Sequence, residues 1–80
     1  MNTQEAISWL ADIFNVDETD IQVDQPRESL DYWDSMGMLL LMGELDDLFD
    51  FTLTEDQLKN ISTINDLLDI LKEKNFIVDK

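Results

Sequence analysis

Histidine and cysteine are both missing from this 80-residue chain. Without cysteine there is no disulfide framework and no thiolate metal site. Without histidine, the commonest general base and the commonest metal ligand are gone. Basic residues are scarce: five Lys and Arg stand against nineteen Asp and Glu, for a formal net charge of −14. Phosphate-backbone binding needs clustered cations, so nucleic acid is excluded as a partner. An anionic membrane surface would repel the chain in the same way. Long apolar runs are also lacking. The longest, Met38 to Met42, is far too short to span a bilayer, so no membrane insertion is expected. The first residues lack the basic region and apolar stretch of a secretory leader, which points to a cytoplasmic protein.

What remains is ordinary for a folded domain. Hydrophobic residues make up 44% of the chain, enough for one small core despite the charge. Residues 1–80 are expected to form a single domain and a monomer. The acidic balance favours protein partners with basic patches, whose encounter it would accelerate.

Hydrophobic periodicity gives an all-α reading. Asn2 and Glu5 form a capping-box start, and Thr3, Ile7, Leu10, Ala11 and Phe14 share one face, which predicts a first helix over about 3–14. Trp9 and Ile13 widen that face, and Asn15 suits a left-handed stop. Residues 15–34 hold the only proline, Pro26, and irregularly spaced apolar residues. They are expected to form a long ordered loop pinned by Val16, Ile21 and Leu30, with a short helical turn near Glu18–Ile21. A second helix is predicted over about 35–49. Met38, Leu41, Met42, Leu45 and Phe49 form its core stripe, with Leu48 at the edge. Leu53 turns inward. Thr54 caps a short third helix over about 55–61, with Leu58 and Ile61 inward. Thr63 and Asp66 open a fourth over about 64–74, buried along Ile64, Leu67, Leu68 and Leu71. Lys72 and Lys74 suit the negative end of its dipole. The tail Phe76-Ile77-Val78 either folds back on the first and fourth helices or is loose. The sum is a small four-helix bundle, three main helices and one short one, with a long loop between the first two.

Catalysis by this chain alone is not expected. A nucleophilic serine needs an adjacent base, and none is available to Ser35. Nor is a metal site expected. Calcium loops begun at Asp17 or Asp46 would need glycine at the sixth position, where Gln22 and Phe51 stand instead.

Attention therefore falls on Ser35 and the helix behind it. Serine at a helix start is usually a cap. Here an apolar outer strip of Met36, Leu40 and Gly43 follows at once, joined by the acidic Glu44, Asp46 and Asp47. An apolar strip ringed by acid suits a docking surface. A phosphate ester on Ser35 would make a phosphoprotein, its charge favoured by the positive end of the helix dipole.

At these residues the sequence resembles the acyl carrier proteins. Asp34-Ser35-Met36 is similar to the family's Asp-Ser-Leu attachment motif. The helix continuing through Leu41, Leu45 and Phe49-Asp50, the inward Leu53 and the Ile61-Ser62-Thr63-Ile64 junction follow the family's layout from about Leu30 to Leu71. The resemblance implies 4′-phosphopantetheine on Ser35, added from coenzyme A by a phosphopantetheinyl transferase. The arm's thiol would hold an acyl or aminoacyl group as a thioester. A loading enzyme would supply that group, and acyltransferases or synthases would consume it. The second helix would be the main recognition element, and partner contacts are expected at Trp33, Asp34, Met36, Gly37, Leu40, Gly43, Glu44 and Asp47.

Several positions depart from fatty-acid carriers: Trp33 before the motif, Gly37, Leu40 and Gly43. Asp34-Ser35-Met36-Gly37 is also similar to the D-alanyl carrier proteins. The expectation is a specialised stand-alone carrier serving a dedicated biosynthetic pathway. The alternatives are a D-alanyl or other aminoacyl carrier, or a small acidic interaction adaptor with no prosthetic group. Trp33 has two readings at this point: packing under the loop, or flanking the arm.

Overall fold

Four helices carry the fold in the computed structural model, which describes residues 1–79. They are α1 (Thr3–Phe14), α2 (Ser35–Phe49), α3 (Glu55–Asn60) and α4 (Ile64–Glu73). Two 3₁₀ turns, Glu18–Asp20 and Arg27–Ser29, interrupt the segment between α1 and α2. No strand occurs among the described residues.

Each helix begins where a side chain satisfies its first orphan N–H groups. Asn2 accepts from the Glu5 N–H, and the Glu5 carboxylate accepts from the Asn2 N–H. Thr54 with Gln57 and Thr63 with Asp66 repeat this reciprocal box for α3 and α4. One such cap contributes about 1 kcal/mol. Asn15 and Asp50 end α1 and α2 in the left-handed conformation, at φ of 58° and 52°. α3 stops at Asn60 because Ile61 swings into the core on extended backbone. α4 stops at Glu73, and Lys74 is its cap.

The helices surround a core whose fully buried large side chains are Leu10, Leu41, Leu45, Ile61, Ile64, Leu67 and Leu71. α4 buries all four residues of its expected stripe. α1 does not: Ala6 is buried together with Leu10, Ala11 and Phe14, and Ile7 is only half-buried. Two alanines on that face permit close approach of α1 to α2.

α2 also departs from its expected stripe. Its buried residues are Gly37, Leu41 and Leu45, and Met38, Met42 and Phe49 are half-buried. Leu48, expected at the edge of the core, is exposed. The buried residues are spaced by four. They form one ridge that drifts around the helix, as a helix packing through its fourth-neighbour row must.

The long loop is ordered by hydrogen bonds as well as by its apolar residues. The Arg27 N–H donates to the Ser62 carbonyl at 2.7 Å, and the Asn65 N–H donates to the Val23 carbonyl at 2.9 Å. Both bonds tie the loop to the α3–α4 junction. Leu30 and Trp33 are buried, and Val16, Ile21 and Val23 pack partly buried against the core.

The seven aromatic residues divide between the two ends of α2. Phe14 meets Tyr32 at 5.2 Å and Trp33 at 5.8 Å beside its start. At its far end Phe76 stacks on Phe49 at 4.3 Å, with Trp9 and Phe51 edge-on. The tail therefore folds back. Ile77 is buried, the Val78 N–H donates to the Met1 carbonyl at 2.8 Å, and Thr3 donates twice to the Asp79 carboxylate. These contacts fix α2 at both ends. No helix among the described residues is long and apolar enough to cross a membrane.

Candidate functional site at the head of helix α2

The corner leading into α2 is built from Leu30 to Asp34. The Trp33 N–H donates to the Leu30 carbonyl at 3.1 Å and closes a turn. Asp34 then leaves with extended backbone and becomes the N-cap, its Oδ1 accepting from the Gly37 N–H at 2.9 Å. Capping belongs to Asp34, and Ser35 is the first helical residue. The Ser35 side chain is exposed and free of that duty. It faces solvent at the positive end of a 15-residue helix dipole.

Ser35 stands on the rim of an open groove of about 650 Å³, lined also by Arg27, Glu28, Trp33, Asp34, Met38 and Leu39. That volume falls in the usual range for small-ligand clefts, about 300–1,000 Å³. The Arg27 guanidinium lies over the Trp33 ring, 5.9 Å from its centroid. It is the chain's only arginine and the only basic residue lining the groove.

The expected partner-contact residues separate into groups. Met36 is 63% exposed and Leu40 is 50% exposed, so both present apolar surface. Gly43 is exposed, with nothing near a would-be Cβ, and Asp34 and Asp47 are exposed beside the strip. Glu44 is half-buried.

Trp33 and Gly37 differ from these exposed positions. Both are buried, so neither offers a side chain to a docking protein directly. Trp33 packs on Phe14 under the loop, the first of its two readings, and it also lines the groove. Gly37 is needed for clearance. A Cβ there would lie 2.8 Å from the Tyr32 carbonyl oxygen and 3.1 Å from the Phe14 ring.

Two features of this surface are not evident in the helix pattern. Leu39 is 64% exposed and extends the apolar surface from the outer strip into the groove. On a helical wheel it falls beside Gly43, so a wider reading of the outer face would have included it. Arg27 comes from the loop, where no periodicity points to it. Its being the single arginine of an acidic chain is the one available signal.

Among the described residues no group of three or more His, Cys, Asp or Glu side chains is placed to hold a metal ion. No neighbour supplies an imidazole, because the chain has none. The arrangement leaves the Ser35 hydroxyl exposed, with an exposed apolar helix face beside it.

The comparisons with known proteins agree in kind. The family model described as phosphopantetheine attachment site matches residues 6–71, well over half of the chain. Neither the curated proteins nor the solved structures give a match. Proteins of this family carry 4′-phosphopantetheine covalently on a serine. The chain therefore belongs to the phosphopantetheine attachment-site family and is a carrier of that prosthetic group.

Proposed function

We propose that Ser35 is the attachment serine and that the chain is a non-catalytic carrier of an acyl or aminoacyl cargo for a specialised biosynthetic pathway. The observation that carries this is the division of labour at the head of α2: Asp34 caps, and Ser35 is left exposed on an open groove.

The other serines are less suited. Ser8 is half-buried within α1. The Ser29 hydroxyl donates to the Pro26 carbonyl at 2.8 Å. Ser62 sits in the junction that anchors the loop, its N–H donating to Asp66 and its carbonyl accepting from Arg27. Ser35 alone heads the longest helix of the fold.

The residues present fit the group. Its phosphodiester is anionic, and the positive helix end and Arg27 favour that charge against the Glu28 and Asp34 carboxylates that also line the groove. When attached, the arm supplies a thiol that holds the cargo as a thioester. Cysteine is absent, so no side-chain thiol competes for that cargo.

The protein's own contribution is presentation. α2 is clamped at both ends by aromatic contacts, so Ser35 and the strip of Met36, Leu40 and Gly43 move as one body. A phosphopantetheinyl transferase, a loading enzyme and the downstream acyltransferase or synthase each have to approach that body. Exposed Asp34, Asp46 and Asp47 favour partners with basic rims, and Met36 and Leu40 supply the apolar centre of the contact.

Intact-mass measurement tests the assignment. The protein is incubated with coenzyme A and a broad-specificity phosphopantetheinyl transferase. One added arm is expected on the native chain and none on Ser35→Ala. The assignment fails if the native chain gains nothing, or if Ser35→Ala gains the same mass.

A further inference from the structure

The groove beside Ser35 has a polarity that the outer face of α2 lacks. One wall comes from the Arg27–Ser29 turn, and the other from Trp33 and the first turns of α2. Its apolar surface is Trp33, Met38 and Leu39. Its only cation is Arg27, which Trp33 supports from below. Nothing else about Arg27's side chain is structural: the bond that anchors the loop to Ser62 uses its backbone N–H. In a chain of net charge −14, Arg27 is the one group of this groove that can pair with an anion, set beside the carboxylates of Glu28 and Asp34.

We propose that the phosphopantetheine arm lies in this groove. The Arg27 guanidinium faces its phosphodiester, and Trp33, Met38 and Leu39 face its pantetheine chain. The proposal rests on Ser35 being the attachment serine, which places the tether on the groove's own rim. Tethering makes the contact intramolecular, so a weak pairing suffices for a substantial docked population. Guanidinium is the fitting cation for a phosphate oxygen pair, and its aromatic support leaves less side-chain freedom to lose. The Trp33 indole N–H supplies a probe of this wall. It is buried without an acceptor, so its resonance reports on the ring that lines the groove.

The test uses the full chain with and without the arm. The loaded form carries a free thiol, so the phosphodiester is the only anion added. Loading of each sample is first verified by mass, so that failure of attachment is distinguished from failure of docking. Proton–nitrogen and methyl NMR spectra then compare loaded and unloaded protein, and phosphorus NMR follows the phosphodiester. Docking predicts shifts at the Trp33 indole, the Met38 methyl and the Leu39 methyls. The Trp9 indole, also buried without a partner but at the far end of α2, is the control and stays still. Arg27→Gln keeps the backbone bond and removes the charge. It is expected to lower the docked population about two- to fivefold, the range for one partly exposed ion pair. Arg27→Lys retains part of the effect, and added salt mimics the Gln variant in the native chain. The unloaded Arg27→Gln protein should melt within a few degrees of the native one, which separates docking from folding. Shifts confined to Ser35 and its sequence neighbours would overturn the proposal. So would equal Trp33 and Leu39 shifts in loaded native and Arg27→Gln protein.

Discussion

The two glycines of α2 make a matched experiment. In Gly37→Ala the new Cβ would stand 2.8 Å from the Tyr32 carbonyl oxygen, with Phe14 ring carbons at 3.1 and 3.2 Å. Backbone oxygen cannot step aside as a flexible side chain can. In Gly43→Ala the new Cβ meets nothing within 4 Å. Replacing glycine by alanine inside a helix gains about 0.8–1 kcal/mol of propensity in both cases. Only Gly37→Ala also incurs overpacking, typically about 1–3 kcal/mol. Gly43→Ala should therefore be stabilised by close to 1 kcal/mol. Gly37→Ala should be less stable than the native chain by up to about 2 kcal/mol. Urea unfolding followed by far-UV circular dichroism reads both on one scale. For a domain of this size 1 kcal/mol moves the melting midpoint by roughly 4–8 °C, so the two variants should melt on opposite sides of the native protein. Equal stabilisation by both would refute the close approach of α2 to Tyr32 and Phe14. The orientation of Ser35 would then need another explanation.

Other perturbations test separate parts of the structure. Asp34→Ala removes the cap of α2 and should cost about 1 kcal/mol in urea unfolding, while Asp34→Asn should restore most of it. Leu41→Ala opens a hole under the middle of α2, where the side chain is fully buried. A loss of about 2–5 kcal/mol is expected by the same assay, a large part of the total stability of so small a domain. Asp79 has its carboxyl held below the usual range by hydrogen bonds from the Thr3 hydroxyl and backbone, with Lys72 adding to the effect against slight desolvation. A depressed folded-state value means that this stabilisation is present above the unfolded value of 3.8 and fades as pH falls below it. Thr3→Val removes the hydroxyl contribution, so acid unfolding curves of native and variant protein should converge as pH falls through the depressed folded-state value.

Local chemistry made much of this fold legible. The capping boxes at Asn2, Thr54 and Thr63 are four-residue patterns that act within about one turn, and each opens its helix where expected. The stripe of α4 is equally direct, because only one face of that helix is apolar. α2 was harder for the opposite reason. Nearly all its first half is apolar, so a helical wheel averages over faces and includes Met38 and Met42 in the core stripe. The packed helix keeps Leu41 and Leu45 from that stripe and adds Gly37, which lies against Phe14 of α1 and the Tyr32 carbonyl. No single-helix pattern carries that information. Gly37 and Trp33 read as surface for the same reason: their burial depends on Phe14, more than eighteen residues upstream. The proposal for Ser35 draws on adjacent residues, with Asp34 before it and an apolar helix behind. The place of Arg27 in the groove was not legible, since it follows from loop bonds to Ser62 that only the folded chain makes.

The central claim is that the arm belongs on Ser35, and fragmentation of the loaded protein tests it most directly. Trypsin releases one peptide spanning 28–59, bounded by Arg27 and Lys59, that holds both Ser29 and Ser35. Tandem mass spectrometry of that peptide is predicted to place the whole added mass on Ser35, with Ser29 and Tyr32 unmodified. Attachment to Ser29, or a modified peptide from any other part of the chain, would contradict the account.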